Sequence, residues 1–122
     1  MSRIAIISIP VTDQQRSKQF YSKVLGFKVI RDNPMGPNQQ WIQLAPSEGT
    51  ATVTLVTWFE KMPPGCVKGI VLETSNIREE HEKLRSRGLI LSEIEAALWG
   101  TYATFEDPDG NGWVLQETSV NA

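Results

Sequence analysis

Of the 122 residues, one is cysteine and one is histidine. Cys66 has no partner for an internal disulfide, and a single thiol excludes a thiolate zinc cage. His81 is the single imidazole, and that count narrows the available chemistry more than any other. Neither sign of charge is in large excess: 12 basic and 14 acidic side chains leave a formal charge of −2, with no basic run. Such a balance supplies no field for nucleic acid or an anionic membrane. Long apolar runs are also missing. The early stretch from Ile4 to Ile9 is cut off by Pro10 and Asp13, too short to span a bilayer, and no small-residue cleavage site follows it. The expectation is a cytoplasmic protein without membrane or nucleic-acid partners.

What remains is ordinary globular material, 40% apolar and 21% charged, of a length that suits one domain over residues 1–122. The chain reads twice. Ile4 to Val11 is a β-branched strand. Thr12 and Gln15 have capping-box spacing, with Asp13 adding charge to the first turn, and Phe20, Tyr21, Val24 and Leu25 form a helical apolar stripe that Gly26 stops. Phe27 to Ile30 starts a second strand. Asp32 to Asn38, with two prolines and a glycine, reads as a loop. Trp41 to Leu44 and Thr50 to Thr57 complete a βαβββ order.

The second half repeats it. Val67 to Leu72 is a strand, and Ser75 or Asn76 caps a helix carrying Ile77, His81 and Leu84, which Gly88 ends. Leu89 to Leu91, Thr101 to Phe105 and Trp113 to Thr118 are three further strands. The halves, about 1–60 and 65–122, superpose at an offset of about 62 residues in pattern rather than in identity. The fold expected is α+β, two βαβββ modules forming a curved mixed sheet around a cavity. Alternation places Ile7, Ile9, Ile42, Leu44, Val53, Leu55, Ile70, Leu72 and Leu115 beneath the helices. Ile4, Ile6, Ser8, Trp41, Gln43, Thr52, Thr54, Val56, Val67, Gly69, Val71, Val114 and Gln116 face the cleft, a set without charge.

Several motifs are better read as scaffold. Asp107 to Gly112 starts like a calcium loop, but its twelfth position is Thr118 and its flanks are strands, so a β-turn is expected. Gly110-x-Gly112 precedes a strand and lacks a third glycine, which fails the dinucleotide fingerprint. The charges from Arg78 to Arg87 mark a solvated helix face, His81 lies on that helix's apolar stripe, and Cys66 is a small residue at a strand start. The tryptophans are different: Trp41, Trp58, Trp99 and Trp113 are many for this length. Trp41 and Trp58 have cleft-facing parity, and Trp99 precedes the seventh strand, which suits stacking of a planar ligand.

Four stretches together carry a resemblance: Pro10-Val-Thr-Asp13, Phe20-Tyr-x-x-Val-Leu-Gly-Phe27, Trp41-Ile-Gln-Leu44 and Phe105-Glu-Asp-Pro-Asp-Gly-Asn111. Their order and chain coverage resemble the vicinal oxygen chelate superfamily, which includes glyoxalases, extradiol dioxygenases and bleomycin-resistance proteins. The resemblance implies paired modules around a U-shaped cavity, commonly in a homodimer, and in the enzymes a divalent metal held by four strand residues. Those ligand positions fall here on Ile6, Thr54, Gly69 and Val114. One hydroxyl among four is no normal ligand set, so no metal, cofactor or catalytic residue is expected. The function expected is metal-independent binding or sequestration of a small, partly apolar or aromatic molecule, as bleomycin-resistance proteins do. The candidate ligand contacts are Trp41, Gln43, Thr54, Trp58, Trp99, Tyr102, Val114 and Gln116. The competing possibilities are a lyase or dioxygenase with an atypical ligand set, such as Glu117 with residues from a second chain, a metal-free enzyme using Glu73 or Glu95 as base, and a partner-binding domain.

Overall fold

The computed structural model describes residues 1–119. Its strands form two four-stranded mixed sheets of identical plan. The first contains β1 (Ile6–Pro10), β2 (Lys28–Gly36), β3 (Gln39–Ala45) and β4 (Thr52–Val56) in the order β1-β4-β3-β2. The second contains β5 (Ile70–Glu73), β6 (Glu95–Ala97), β7 (Gly100–Glu106) and β8 (Gly112–Thr118) in the order β5-β8-β7-β6. In each the first strand lies parallel to the last, and the other pairings are antiparallel. Helix α1 (Gln14–Gln19), continued by a π-helical turn over Phe20–Val24, crosses the first module, and α2 (Ile77–Ser86) crosses the second. The α+β architecture and the internal repeat are as expected.

The helix starts differ slightly from the spacing argument. Asp13, not Thr12, is the N-cap of α1 and accepts from the Arg16 amide at 3.1 Å. The Thr12 amide instead donates to Asp109 in the other module. Asn76 caps α2, accepting from the Glu79 amide, and its own amide reaches back to the Glu79 carboxylate. Gly26 and Gly88 end the helical segments at φ +80° and +94°, the left-handed conformation that glycine adopts without a Cβ penalty.

Two strand expectations are corrected. The Asp32–Asn38 segment does not loop; β2 runs on to Gly36 with its register slipping after Val29 and after Pro34. Proline and bulges are tolerated there because β2 is an edge strand. Leu89–Leu91 forms no strand, and β6 comes later, at Glu95–Ala97. Ser92 explains the difference: its hydroxyl accepts from the Thr104 amide at 2.8 Å, so a side chain takes a place a strand backbone would have filled.

One core joins the modules. Ile9, Ile42, Leu44, Val53, Leu55 and Leu115 are buried as alternation predicted, with Tyr21, Leu25, Phe27, Leu84, Phe105 and Trp113. Ile70 and Leu72 are half-buried against it. Ile7 is 38% exposed despite its inward parity, because β1 is an outer strand. Val56, expected in the cleft, is buried at 1% exposure on the inner strand β4.

At the centre lies the Asp107 carboxylate, 5% exposed. One oxygen accepts from the Tyr21 hydroxyl at 2.7 Å and the Asn111 amide at 2.8 Å; the other accepts the backbone amides of Asp109 and Asn111, both at 2.9 Å. Asn111 in turn donates to the Pro10 carbonyl, and the Trp113 indole donates to Tyr21. The Asp107–Gly112 turn is thus the buried clasp between modules, not a calcium loop. Burial first, and then the Asp107 charge, push the Tyr21 phenol far above its ordinary range, so it stays a donor.

Removing a donor from a buried acceptor leaves that acceptor unsatisfied, at a cost of about 1–3 kcal/mol. Tyr21→Phe is expected to lose about 2 kcal/mol of unfolding free energy in urea titration, and Asp107→Asn more, since four donors converge on that carboxylate. Unchanged urea midpoints would show that the clasp carries no weight. Gly65→Ala is expected to destabilise as well, because at φ +87° a Cβ would stand 2.3 Å from the Asp109 carbonyl oxygen.

Candidate ligand-binding site

The face of each sheet turned away from the helices carries the candidate contacts. On the first sheet, register aligns Ser8, Thr54, Gln43 and Arg31 in one row across all four strands, with Trp41 opposite Asn33 in the next. The Trp41 indole donates to the Gln43 side-chain oxygen Oε1 at 3.1 Å, and the Gln43 side-chain nitrogen Nε2 donates to the Thr52 hydroxyl at 2.8 Å. The Thr52 hydroxyl in turn donates a hydrogen bond to the Ala5 carbonyl. This relay fixes the orientation of the half-buried indole before any ligand arrives, which lowers the ordering cost of binding. Thr54 is 1% exposed and its hydroxyl lies 3.4 Å from that of Ser8.

On the second sheet the matching row is Glu73, Gln116, Tyr102 and Glu95. Gln116 donates to Glu73 at 2.8 Å, and Glu95 stands opposite Tyr102 across the β6–β7 pairing. Trp99, at the tip of the β6–β7 hairpin and 40% exposed, stacks on Tyr102 with centroids 5.6 Å apart. Val114 lies one row over, between Val71 and Thr104, and borders a groove of about 800 Å³ that Gly69, Ile90, Thr104 and Gly112 also line. The structure therefore brings Trp41, Gln43 and Thr54 together on one sheet, and Trp99, Tyr102, Val114 and Gln116 on the other. Trp58 belongs to neither row. β4 ends at Val56, so strand parity does not extend to it, and its ring lies against Phe59 at 6.2 Å. Trp113 is a core residue, 2% exposed.

The charge of these faces was missed in the sequence. Glu73 and Glu95 end the second row, and Glu106 shares the face opposite Gly112. Hydrogen bonds from Thr118, first, and from Gln116 hold the Glu73 carboxyl below its ordinary range, the reverse of what a general base requires. The neighbouring Glu95 carboxylate raises the Tyr102 phenol, which stays protonated. On the first sheet, register gives this face Lys28 and Arg31 instead. The signal was present: Glu73 stands two residues after Val71 and Glu95 four before Trp99, but their partners were set by pairing rather than by order.

The positions that would hold a metal offer little to one. Ile6 and Val114 present hydrocarbon, Gly69 no side chain, and Thr54 a buried hydroxyl. Among the described residues no group of three or more His, Cys, Asp or Glu side chains is gathered to bind a metal ion. Glu117 is engaged elsewhere, accepting the Ile77 amide at the start of α2 at 2.8 Å. His81 bonds the Ser92 carbonyl at 2.8 Å and pins the segment before β6 to α2. Cys66 is exposed.

Comparison with known proteins agrees with this architecture. The chain is 36% identical to the antibiotic binding protein TnmS3 of Streptomyces sp. CB03234, whose crystal structure superposes with a TM-score of 0.91 over 98% of both chains. It is 35% identical to the uncharacterized protein YetH of Bacillus subtilis over 96% of this chain and 99% of that one. It is 34% identical to the lactoylglutathione lyase of Escherichia coli O157:H7, covering 88% of this chain and 87% of that enzyme. Residues 3–115 match the family model described as Glyoxalase/Bleomycin resistance protein/Dioxygenase superfamily. With the repeated modules, the strand orders and this match in hand, the chain belongs to the glyoxalase/bleomycin resistance protein/dioxygenase superfamily.

Proposed function

We propose that this protein binds and sequesters a small, partly aromatic molecule, without a metal and without turning it over. The observation that carries the reading is the same lining on both sheets: an oriented aromatic ring beside an amide. On the first sheet it is Trp41 bonded to Gln43, and on the second it is Trp99 and Tyr102 beside Gln116. Rings of this kind stack on planar ligands, and fixed amides select their polar edges. The similarity to an antibiotic binding protein points the same way. An exposed thiol at Cys66 suits a reducing cytoplasm.

The two linings lie on separate sheets, so we place the complete site in a homodimer, with the first sheet of one copy facing the second sheet of its partner. Three features support it. The faces are oppositely charged, Lys28 and Arg31 against Glu73 and Glu95. The outer strands β1 and β5 expose Ile6, Ile7 and Val71 at 38–50%, and Ile4 just before β1 is 71% exposed. Each of those strands also has one side unpaired in its sheet.

A metal-dependent lyase or dioxygenase is the competing reading, favoured by the similarity to a lactoylglutathione lyase. Calorimetric titration of Ni²⁺, Mn²⁺, Fe²⁺ and Zn²⁺ into chelator-stripped protein separates the two. The expected result is no stoichiometric binding; a one-to-one micromolar complex would remove the sequestration reading. Sedimentation at micromolar concentration is expected to give twice the mass of the chain. Titration with planar aromatic compounds is expected to quench tryptophan emission, and Trp41→Ala to weaken the tightest of them at least about tenfold, the size of a central aromatic contact. Full retention of affinity in Trp41→Ala would take that indole out of the site.

A further inference from the structure

The two modules share a plan but differ in how their inner strands are joined. In the second, β7 pairs with β8 at seven positions, from Gly100–Thr118 to Glu106–Gly112. In the first, among the described residues, β3 pairs with β4 at two, Gln43–Thr54 and Leu44–Val53. Strand length does not explain the difference, since β3 is as long as β7 and β4 continues past Thr54 to Val56. A side chain does. Gln14, the first residue of α1, reaches the point where β3 and β4 part. Its Nε2 donates to the Gln40 and Leu55 carbonyls, both at 2.7 Å, and its Oε1 accepts the Gln40 backbone amide at 3.2 Å. One primary amide thus stands in for the ladder beyond Ile42.

Ile42 is fully buried, but from there the β2–β3 ribbon leaves the core: every residue from Arg31 to Trp41 is exposed or half-buried. Polar contacts tie it to α1. Gln14 makes the bonds above, and Lys18, one helical turn on and on the same side, pairs with Asp32 of β2. The Gln40 side chain also donates to Asp32 at 2.7 Å. Around the ribbon tip, an open groove of about 530 Å³ bordered by Thr12, Asn38, Gln40 and Thr57 leaves it unbraced. A segment with few buried apolar contacts opens at a lower free energy than a core strand. Trp41 sits at the boundary between the two regimes. Its backbone follows Gln40, which Gln14 holds, and its indole is bonded to Gln43, which is paired with β4.

Resting on the sequestration reading above, we propose that residues 31–41 form a movable wall of the binding site and that Gln14 is its latch, a positioning residue that acts through Trp41. With the latch made, the indole is held against Gln43. With the latch released, the ribbon turns about Ile42 and carries the indole with it. The first sheet then meets ligands of different thickness by shifting a population rather than by presenting one rigid surface. The fully paired β7 and β8 supply the fixed wall opposite.

Amide hydrogen exchange of the full chain, followed by NMR, tests the latch without any ligand. In the wild type the ribbon amides are expected to exchange at least about tenfold faster than those of β7. Gln14→Met keeps the side-chain length and removes all three bonds. It is expected to speed ribbon exchange at least about tenfold further and to shift the Trp41 indole N–H resonance, with β7 exchange and the Trp113 indole unchanged. Gln14→Glu, which offers no hydrogen to the two carbonyls at neutral pH, is expected to behave alike. Tyr21→Phe is the converse control, expected to lower the urea midpoint and shift the Trp113 indole while leaving the ribbon and Trp41 unchanged. Phenazine affinity by calorimetry is expected to fall at least about fivefold in Gln14→Met, and by less than about twofold when the same change is added to Trp41→Ala. A wild-type ribbon as protected as β7, or a Trp41 indole unmoved in Gln14→Met, would overturn the latch and leave the sequestration reading standing. Equal losses of phenazine affinity in both backgrounds would overturn the action through Trp41. No phenazine binding to the wild type, with exchange and indole shifts as expected, would count against the sequestration reading and uphold the latch.

Discussion

A carboxylate buried among hydrogen-bond donors is the constraint on which the arrangement of this protein turns. Asp107 sits at the junction of two modules with five donors of its own network gathered around it and around Tyr21: the phenol, the Asn111 amide, two backbone amides and the Trp113 indole. Burying a charge is costly unless every lone pair is answered, so the site admits one geometry. That geometry locks the tight turn before β8, seats the π-helical turn carrying Tyr21, and through Asn111 grips the end of β1. Arg16 on α1 and the Thr12 amide just before it add bonds to Asp109 across the same seam. The modules are thereby joined at their helical side, and the opposite sheet faces are left open.

That division of labour explains the character of the open faces. The clasp and the shared core supply cohesion, so the outward positions of β3, β7 and β8 are free to hold residues that a core would reject. Trp41 and Gln43 hold each other, as do Glu73 and Gln116. Each contact fixes a side chain that would otherwise lose several rotamers on meeting a ligand. No equivalent preparation exists at the positions that resemble metal ligands, where a buried Thr54 hydroxyl already has Ser8 as its neighbour.

Most of the fold was legible because its signals are local. The two helix stops at Gly26 and Gly88, the Asn76 cap and the inward residues Ile9, Ile42, Leu44, Leu55 and Leu115 follow from near-neighbour spacing. Where reading failed, a distant partner had intervened. Pro34 and Gly36 look like a loop until β3 accepts β2 as an edge strand with bulges. Leu89–Leu91 looks like a strand until the Ser92 hydroxyl takes the Thr104 amide. Trp58 has the right parity, but β4 stops two residues before it.

The sequence by itself determined the repeated βαβββ order, the single buried core, the turn at Asp107–Gly112 and the pool of aromatic and amide residues from which a site is built. These depend on periodicity and on residues within a few positions of one another. Tertiary structure alone decided which of those residues share a face. It moved Trp113 into the core, set Glu73 and Glu95 at the two ends of a row, and separated Trp41 from Trp99 onto different sheets. The reason is register. A strand's own alternation says which side chains point the same way, but pairing between strands far apart in the chain decides which of them stand side by side.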